Sequence, residues 1–247
     1  MTNSPFEQFE IIRIFKIHPF GNLDISITNS TLFMIIAASF FLFIVNMEKG
    51  LLIPTRWQSV VELVYGLTHG MVKENIGAAG ARFFPFIFTL FVFIALMNMF
   101  GLVPYTFTPT SHIFVTLGLS FSIFIGCNVL GFSNYKFNFF AMFLPAGCPL
   151  WLAPFLVLVE FVSHFAKAIS LGVRLAANIT AGHLLFAILA GFTWNMFIAG
   201  GLVSIASIAP FLVVLFISGL EIAVSLIQAY VFCLLTCIYL NDGVHLH

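Results

Sequence analysis

Long apolar runs separated by short polar breaks make up most of the chain from residue 31 onward. The first, Thr31 to Met47 (TLFMIIAASFFLFIVNM), stops at Glu48-Lys49-Gly50 and is short for a bilayer but sufficient. Residues 1–30 ahead of it are mixed and hold Pro5, Pro19 and Gly21, a lead-in with room for a short interfacial helix. From Thr55 to Ile76 the pattern changes: Val60, Val61, Leu63, Val64, Leu67, Met71 and Val72 recur at helical spacing opposite Glu62, His69 and Lys73. That spacing predicts a helix lying along the membrane surface rather than crossing it. Phe83 to Val103, closed by Gly101 and Pro104, is a second span, and His112 to Phe132 a third. The intervening PYTFTPTS holds two prolines and no charge, so the pair reads as a hairpin over 83–132.

Residues 133–149 (SNYKFNFFAMFLPAGCP) interrupt the apolar pattern, and Trp151 starts a longer run. No strong breaker lies between Pro154 and Trp194. At 1.5 Å per residue, some forty residues make roughly 60 Å of helix, twice the hydrocarbon thickness. Such a helix is steeply tilted, or else broken near Gly182 or Gly191. After Gly200-Gly201, Leu202 to Leu240 poses the same problem with only Pro210 and Gly219 inside it. The pattern therefore predicts an all-α polytopic membrane protein, a single membrane domain over 1–247. Its parts are one early span (31–47), a surface amphipathic helix (55–76), a helical hairpin (83–132), and two long tilted helices (151–194 and 202–240) packed antiparallel.

Composition agrees: of 247 residues 61% are hydrophobic and 7% charged, far from the average soluble domain. Nine Lys+Arg against nine Asp+Glu leave no basic patch for nucleic acid, and that class is excluded. Cys127, Cys148, Cys233 and Cys237 lack zinc-type spacing and read as small buried hydrophobes. Glu7 and Glu10 near the N-terminus speak against an import or secretion leader. Lys49, Arg56, Lys73 and Arg82 fall in 48–82 and Lys136 in 133–149, while 104–111 and 193–202 carry no cation. With five crossings, this bias puts the N-terminus outside and the C-terminus on the cytoplasmic or matrix side.

The polar exceptions then stand out. In EFVSHFAKAISLGVRLAANITAGH, residues Glu160, His164, Lys167, Arg174 and Asn178 lie within roughly 40° of one line on a helix. Ser163, Ser170, Ala177 and Ala181 accompany them, small enough for another helix to pass close to Arg174. A charge near the bilayer centre costs roughly 2.5–3.5 kcal/mol on insertion scales, so this face borders water or a partner. Snorkelling explains Lys167 but not Arg174, which has turns of Leu, Ala, Phe and Ile beyond it. In the last run Ser218, Glu221, Ser225 and Gln228 share a second face. One reading of Glu221 is a proton site; the other is a charge pair with His183 or Arg174 that joins two helices. His183 lies about 180° around the helix from Arg174. Two separate aqueous approaches with a lone cation between them fit that asymmetry.

An arginine stays protonated at any working pH. It does not relay protons, but it forces a passing carboxylic acid to ionise and blocks a proton wire, while carboxylate and imidazole groups beside it exchange protons with water. The mobile acid that such a gate requires has no candidate in this chain, which points to a partner. Rival classes fit less well. A secondary transporter predicts inverted repeats, and none is evident. Bis-histidine haem binding finds no matched pair among His112, His164 and His183. A purely structural anchor leaves both stripes unexplained.

The segments SLGVRLAANITAGHLL and GLEIAVSLIQAYVFCLLTCIYLND resemble subunit a of F-type ATP synthases, in its mitochondrial form. The likeness continues upstream through GLVPYTFTPTSHIFVTLGLSFSIFIG and LPAGCPLWLAPFLVLVEFVSHFAKAISLG, covering about residues 5–243. It is closest to plant and protist mitochondrial versions and their alphaproteobacterial relatives, which implies a mitochondrial inner membrane or, alternatively, a bacterial inner membrane. The resemblance implies that Arg174 is the proton-path gate facing a c-ring carboxylate, with Asn178 and Gln228 as rotor-facing polar residues. It implies His183 and Glu221 in the outer half-channel, and Glu160, Ser163 and His164 beside the inner one. Lys167 is given no transport role. The implied partners are the c-ring, the peripheral stalk, other membrane-sector subunits and lipid. No cofactor, metal or catalytic site of its own is implied, and no P-loop occurs in the sequence.

Overall fold

The computed structural model describes residues 9–15, 26–47, 54–103, 106–136, 139, 143 and 151–244. The elements are β1 (Arg13–Phe15), β2 (Ile27–Thr28), α1 (Asn29–Met47), α2 (Arg56–Ile76), α3 (Phe84–Gly101), α4 (Ile113–Tyr135), α5 (Ala153–Ile198), α6 (Gly201–Ala206) and α7 (Ile208–Val244). Segments 56–101, 113–135, 153–198 and 203–244 are long and apolar enough to cross a membrane, and 29–44 forms a shorter apolar helix. The fold is all-α and polytopic apart from the two-stranded antiparallel β1–β2 pair.

At residues 13–15 and 27–28 that pair stands where a short interfacial helix had been allowed for, and residues 1–8 and 16–25 lie outside the described residues. Ile11, Ile12 and Ile14 are β-branched, a side-chain type that favours a strand, although the order of apolar residues here does not alternate. Asn29 then closes the pair from α1, its N–H donating to Ile12 O at 3.1 Å and its Nδ2 to Glu10 O at 3.1 Å. Pro5, Pro19, Gly21, Lys49 and Cys148 lie outside the described residues.

Helix α2 begins at Thr55, whose hydroxyl accepts from Gln58 N at 3.3 Å, and ends at Gly77, where φ is 72° and the N–H reaches back to Lys73 O. Its apolar face divides: Thr68, Met71, Val72 and Ile76 are buried, while Val60, Leu63 and Leu67 are exposed. A short 3₁₀ segment, Gly77–Phe83, leads into α3. Helix α4 outruns the expected Phe132 by three residues and stops where Lys136 takes a left-handed φ of 51°.

Helix α5 runs unbroken for 46 residues, about 69 Å, continuing through Gly182 and Gly191. A lone glycine costs a helix only about 1 kcal/mol, too little to break one of this length. The last run is interrupted, but only at Ser207, between α6 and α7. Pro210 has no N–H to return to the 206 carbonyl, so the helix restarts just ahead of it.

The chain divides into two compact units, each drawing on α3, α5 and α7. One comprises 1–45, 93–112 and 175–229; the other 46–92, 113–174 and 230–247. In the first, Asn98 is fully buried on α3 and its Nδ2 donates to Ser225 O on α7 at 3.3 Å. Removing that bond as Asn98→Leu is expected to lower stability by about 0.5–2 kcal/mol, the range for hydrogen bonds between helices in lipid. A loss of thermal stability in detergent, with unchanged helix content, is the readout.

In the second unit, α4 and α5 approach at small residues. Ser120 Oγ donates to Ala168 O, and a Cβ built at Gly172 would sit 3.0 Å from Leu117 Cα and 3.0 Å from Thr116 O. Backbone cannot yield as a side chain does, so Gly172→Val is expected to reduce the amount of folded protein recovered from the membrane. The carboxy end of α7 is held here too: Tyr135 Oη donates to Val244 O and Asn134 Nδ2 to Gly243 O. Cys127, Cys233 and Cys237 are buried free thiols.

Candidate functional site

On α5 the exposed residues include Lys167, Ser170, Arg174, Ala177 and Ala181, while Ala168, Leu171, Gly172, Leu175, Ala176 and Ile179 are buried. Ser170, Ala177 and Ala181 are exposed together with the two cations, while the small residues Ala168, Gly172 and Ala176 are buried. Arg174 Nη2 donates to Ser170 Oγ at 3.4 Å, one turn back on the same helix. Among the described residues it forms no ion pair. A cation on an apolar helix, tied only to a neutral hydroxyl, keeps its full field for a carboxylate brought to that face.

In the first unit His183 and Glu221 line one cavity of about 870 Å³, together with Glu10, Asn29, Thr106, Phe107, Phe186 and Ser218. His183 Nε2 lies 3.3 Å from Thr108 Oγ1, and the Phe9 ring meets its imidazole edge-on at 6.3 Å between centroids. Thr180 Oγ1 donates to Ser111 O at 3.0 Å, which fixes α5 against the 3₁₀ turn Pro109–Ser111 that carries the loop. Glu221 Oε1 is buried without a hydrogen-bond partner. It is wedged at Gly182, where an added Cβ would stand 2.6 Å from it. No ion pair joins Glu221 to His183, so the charge-pair reading of these two does not describe the geometry. A space of this size has room for water beside both groups.

The contact at Gly182 has a direct consequence. Because the obstructing atom is the free end of a flexible side chain, Gly182→Ala is expected to move the Glu221 carboxylate and leave the helices packed. A melting temperature in detergent close to that of the unaltered protein is the readout for the intact packing.

Asn178 and Gln228 are both half-buried and belong to the same unit as that cavity, but neither lines it. Ser218 stays in the second stripe beside Glu221, whereas Ser225 leaves it: Ser225 is fully buried towards Asn98. By angle Ser225 falls between Ser218 and Glu221, so its burial follows from its position one turn beyond Glu221 along α7 and not from its place around the helix.

In the second unit His164 Nε2 lies 3.1 Å from Asn128 Oδ1 on α4. Its ring packs on Phe124 at 4.8 Å and Phe143 at 5.8 Å. A small cavity of about 10 Å³, room for the centre of one water, is lined by His164, Asn128, Cys127, Tyr239 and Asp242. Glu160, one turn before His164, and Ser163 are half-buried beside it on α5. Glu160 and Ser163 do not line this cavity. Among the described residues no group of three His, Cys, Asp or Glu side chains is arranged to hold a metal ion.

Asn128, Thr108, Asp242 and Glu10 therefore join the polar groups near the two tracks, and none was singled out from the sequence. Asn128 is one of several polar residues in α4, and nothing in spacing along one helix marks it as facing another. Asp242 had a weak signal, being the last acid before the C-terminus on the expected inner side.

Fold and site together define a multi-pass, all-helical membrane protein with polar residues set along two long helices. The chain belongs to the ATP synthase A chain family, whose model matches residues 27–241. Similar proteins include ATP synthase subunit a of Marchantia polymorpha, 48% identical over 253 residues with all of both chains covered. The subunit a of Chondrus crispus is 49% identical over 249 residues, covering 100% of this chain and 98% of that one. That of Metridium senile is 52% identical over 242 residues, covering 98% of each.

Proposed function

We propose that this chain is the proton-translocating stator subunit of the membrane sector of an F-type ATP synthase. It carries two offset aqueous half-channels to and from the carboxylates of a c-ring, separated by Arg174. His183 and Glu221 exchange protons in the outer half-channel, and Glu160, Ser163 and His164 in the inner one. Asn178 and Gln228 face the rotor near the arginine. Protons reach a ring carboxylate from the outer side, travel round in lipid with the neutral acid, and leave inward after Arg174 enforces ionisation. Each charge crossing 100 mV releases about 2.3 kcal/mol, which turns the ring and drives ATP synthesis elsewhere in the complex. The chain has no catalytic role of its own. The peripheral stalk and other membrane-sector subunits hold it still, in a mitochondrial inner membrane or the corresponding bacterial one, with the N-terminus outside and the C-terminus inside.

The observation that carries this reading is Arg174 itself: an exposed, permanently charged side chain on an apolar helix, with no carboxylate partner among the described residues and exposed alanines at 177 and 181. Burial of those alanines against this chain's own helices would have favoured internal packing. Membership of the ATP synthase A chain family supports the same assignment. The test is cross-linking in the native membrane from Ala177→Cys or Ala181→Cys. A product with the acidic helix of a ring subunit is expected. Exclusive cross-linking to the last helix of the same chain would overturn the rotor-facing assignment and reopen a transporter reading.

A further inference from the structure

The N-terminal segment has no role in the scheme above, yet it forms one wall of the large cavity. Glu10 and Ile12 line the same space of about 870 Å³ as His183 and Glu221. Asn29 holds the segment at two points, Nδ2 to Glu10 O and N to Ile12 O, each at 3.1 Å. Phe9 sets its ring edge against the His183 imidazole and makes a backbone hydrogen bond to His112. Pairing of Arg13 and Phe15 with Thr28 and Ile27 fixes the register. The segment is thus tied to α1 and touches both histidines of this end of the unit. Glu10 is exposed and also lines the cavity.

Resting on the half-channel reading of that cavity, we propose that the segment Phe9–Phe15 forms the mouth of the proton uptake path, with Glu10 as a proton-collecting carboxylate and Phe9 as the residue that positions His183. Free protons are scarce at neutral pH, and supply to a narrow aqueous site is limited by capture. A surface carboxylate at the rim takes a proton from water or buffer and passes it along cavity water to Glu221 or His183; no bond other than O–H or N–H changes. A negative group at the mouth also raises the local cation concentration, an effect of roughly 10-fold or more on capture rates in charged clefts. Asn29 and Phe9 act through position: one holds the backbone of residues 10 and 12, the other bears on the imidazole.

The test uses the whole synthase in membrane vesicles, with proton flux driven from the side on which the N-terminus lies. In dilute buffer Glu10→Gln is expected to slow initial flux severalfold. Concentrated mobile buffer on that side restores the rate, because buffer molecules then deliver protons directly, and Glu10→Asp keeps the wild-type rate in both conditions. Wild-type flux for Glu10→Gln in dilute buffer would overturn the proposal. So would a slow rate that buffer does not restore and Glu10→Asp shares, since that marks a structural role for the side chain. Glu221→Gln is run in parallel: a normal rate there would overturn the half-channel reading beneath, whereas slow Glu221→Gln with normal Glu10→Gln would sink the mouth alone.

Discussion

Arg174→Ala is expected to abolish ATP-coupled proton transport while the complex still assembles. The side chain is exposed and, among the described residues, hydrogen-bonded to the Ser170 hydroxyl, so its loss leaves no cavity in the packing of α5. Its electrostatic role has no substitute. A cation within about 4–6 Å of a carboxyl favours the ionised form by roughly 10- to 1000-fold. Without it, a ring carboxylate arriving from lipid keeps its proton, and rotation stops contributing to net transfer. If two half-channels meet at Arg174 as proposed, the barrier between them is lost as well, and passive leak through the membrane sector is expected to rise. Arg174→Lys does not restore coupling fully, because an ammonium is a smaller, more strongly hydrated charge whose proton is lost more readily when desolvated. Flux with and without nucleotide in membrane vesicles, alongside co-purification of the ring, checks all three statements. Normal coupled synthesis in Arg174→Ala would refute the gate.

The second large effect is expected at Glu221→Gln. Glutamine has nearly the same shape, so the contact at Gly182 and the packing of α7 survive, but the group no longer takes up and releases a proton. A positioned acid–base group ordinarily contributes about 10²–10⁴-fold to a proton-transfer rate. Here a smaller loss, roughly 10- to 100-fold, is expected, because His183 shares the cavity and relieves part of the deficit. The double change with His183→Gln is expected to lose more than either alone and to fall short of the sum of the two, as groups on one path do. An unchanged rate in Glu221→Gln would move the residue to a structural role. Combined with Gly182→Ala it is expected to show little further loss, since displacing a carboxylate matters only while the carboxylate is there.

The site was legible from the sequence to the extent that charge in an apolar run is itself improbable. Arg174, Glu221 and His183 stand out because each costs free energy that needs a functional return. The partners that hold them do not stand out. Thr108 beside His183, Asn128 beside His164 and Asn98 on Ser225 are neutral residues, cheap in a membrane helix, and each meets its partner across 36 to 127 residues of chain. Register between helices decides such meetings, and register depends on packing of both surfaces at once. Ser225 shows the limit of periodicity: it shares a stripe with Glu221 by angle but is buried towards α3.

By itself the sequence determined the all-α, polytopic class, the two unusually long helices and the charged residues along them. The physical reason is that lipid admits only self-satisfied backbone, so length and hydropathy leave few alternatives. Tertiary structure decided the rest. It chose an unbroken α5 over a helix broken at Gly182 or Gly191, because no local term is large enough to decide between them. It made a strand pair of residues 13–15 and 27–28, where the residues alone had allowed a helix, since strand pairing is a long-range gain. And it brought Glu10, His183 and Glu221 around one cavity, a grouping of residues up to 211 positions apart that no local pattern encodes.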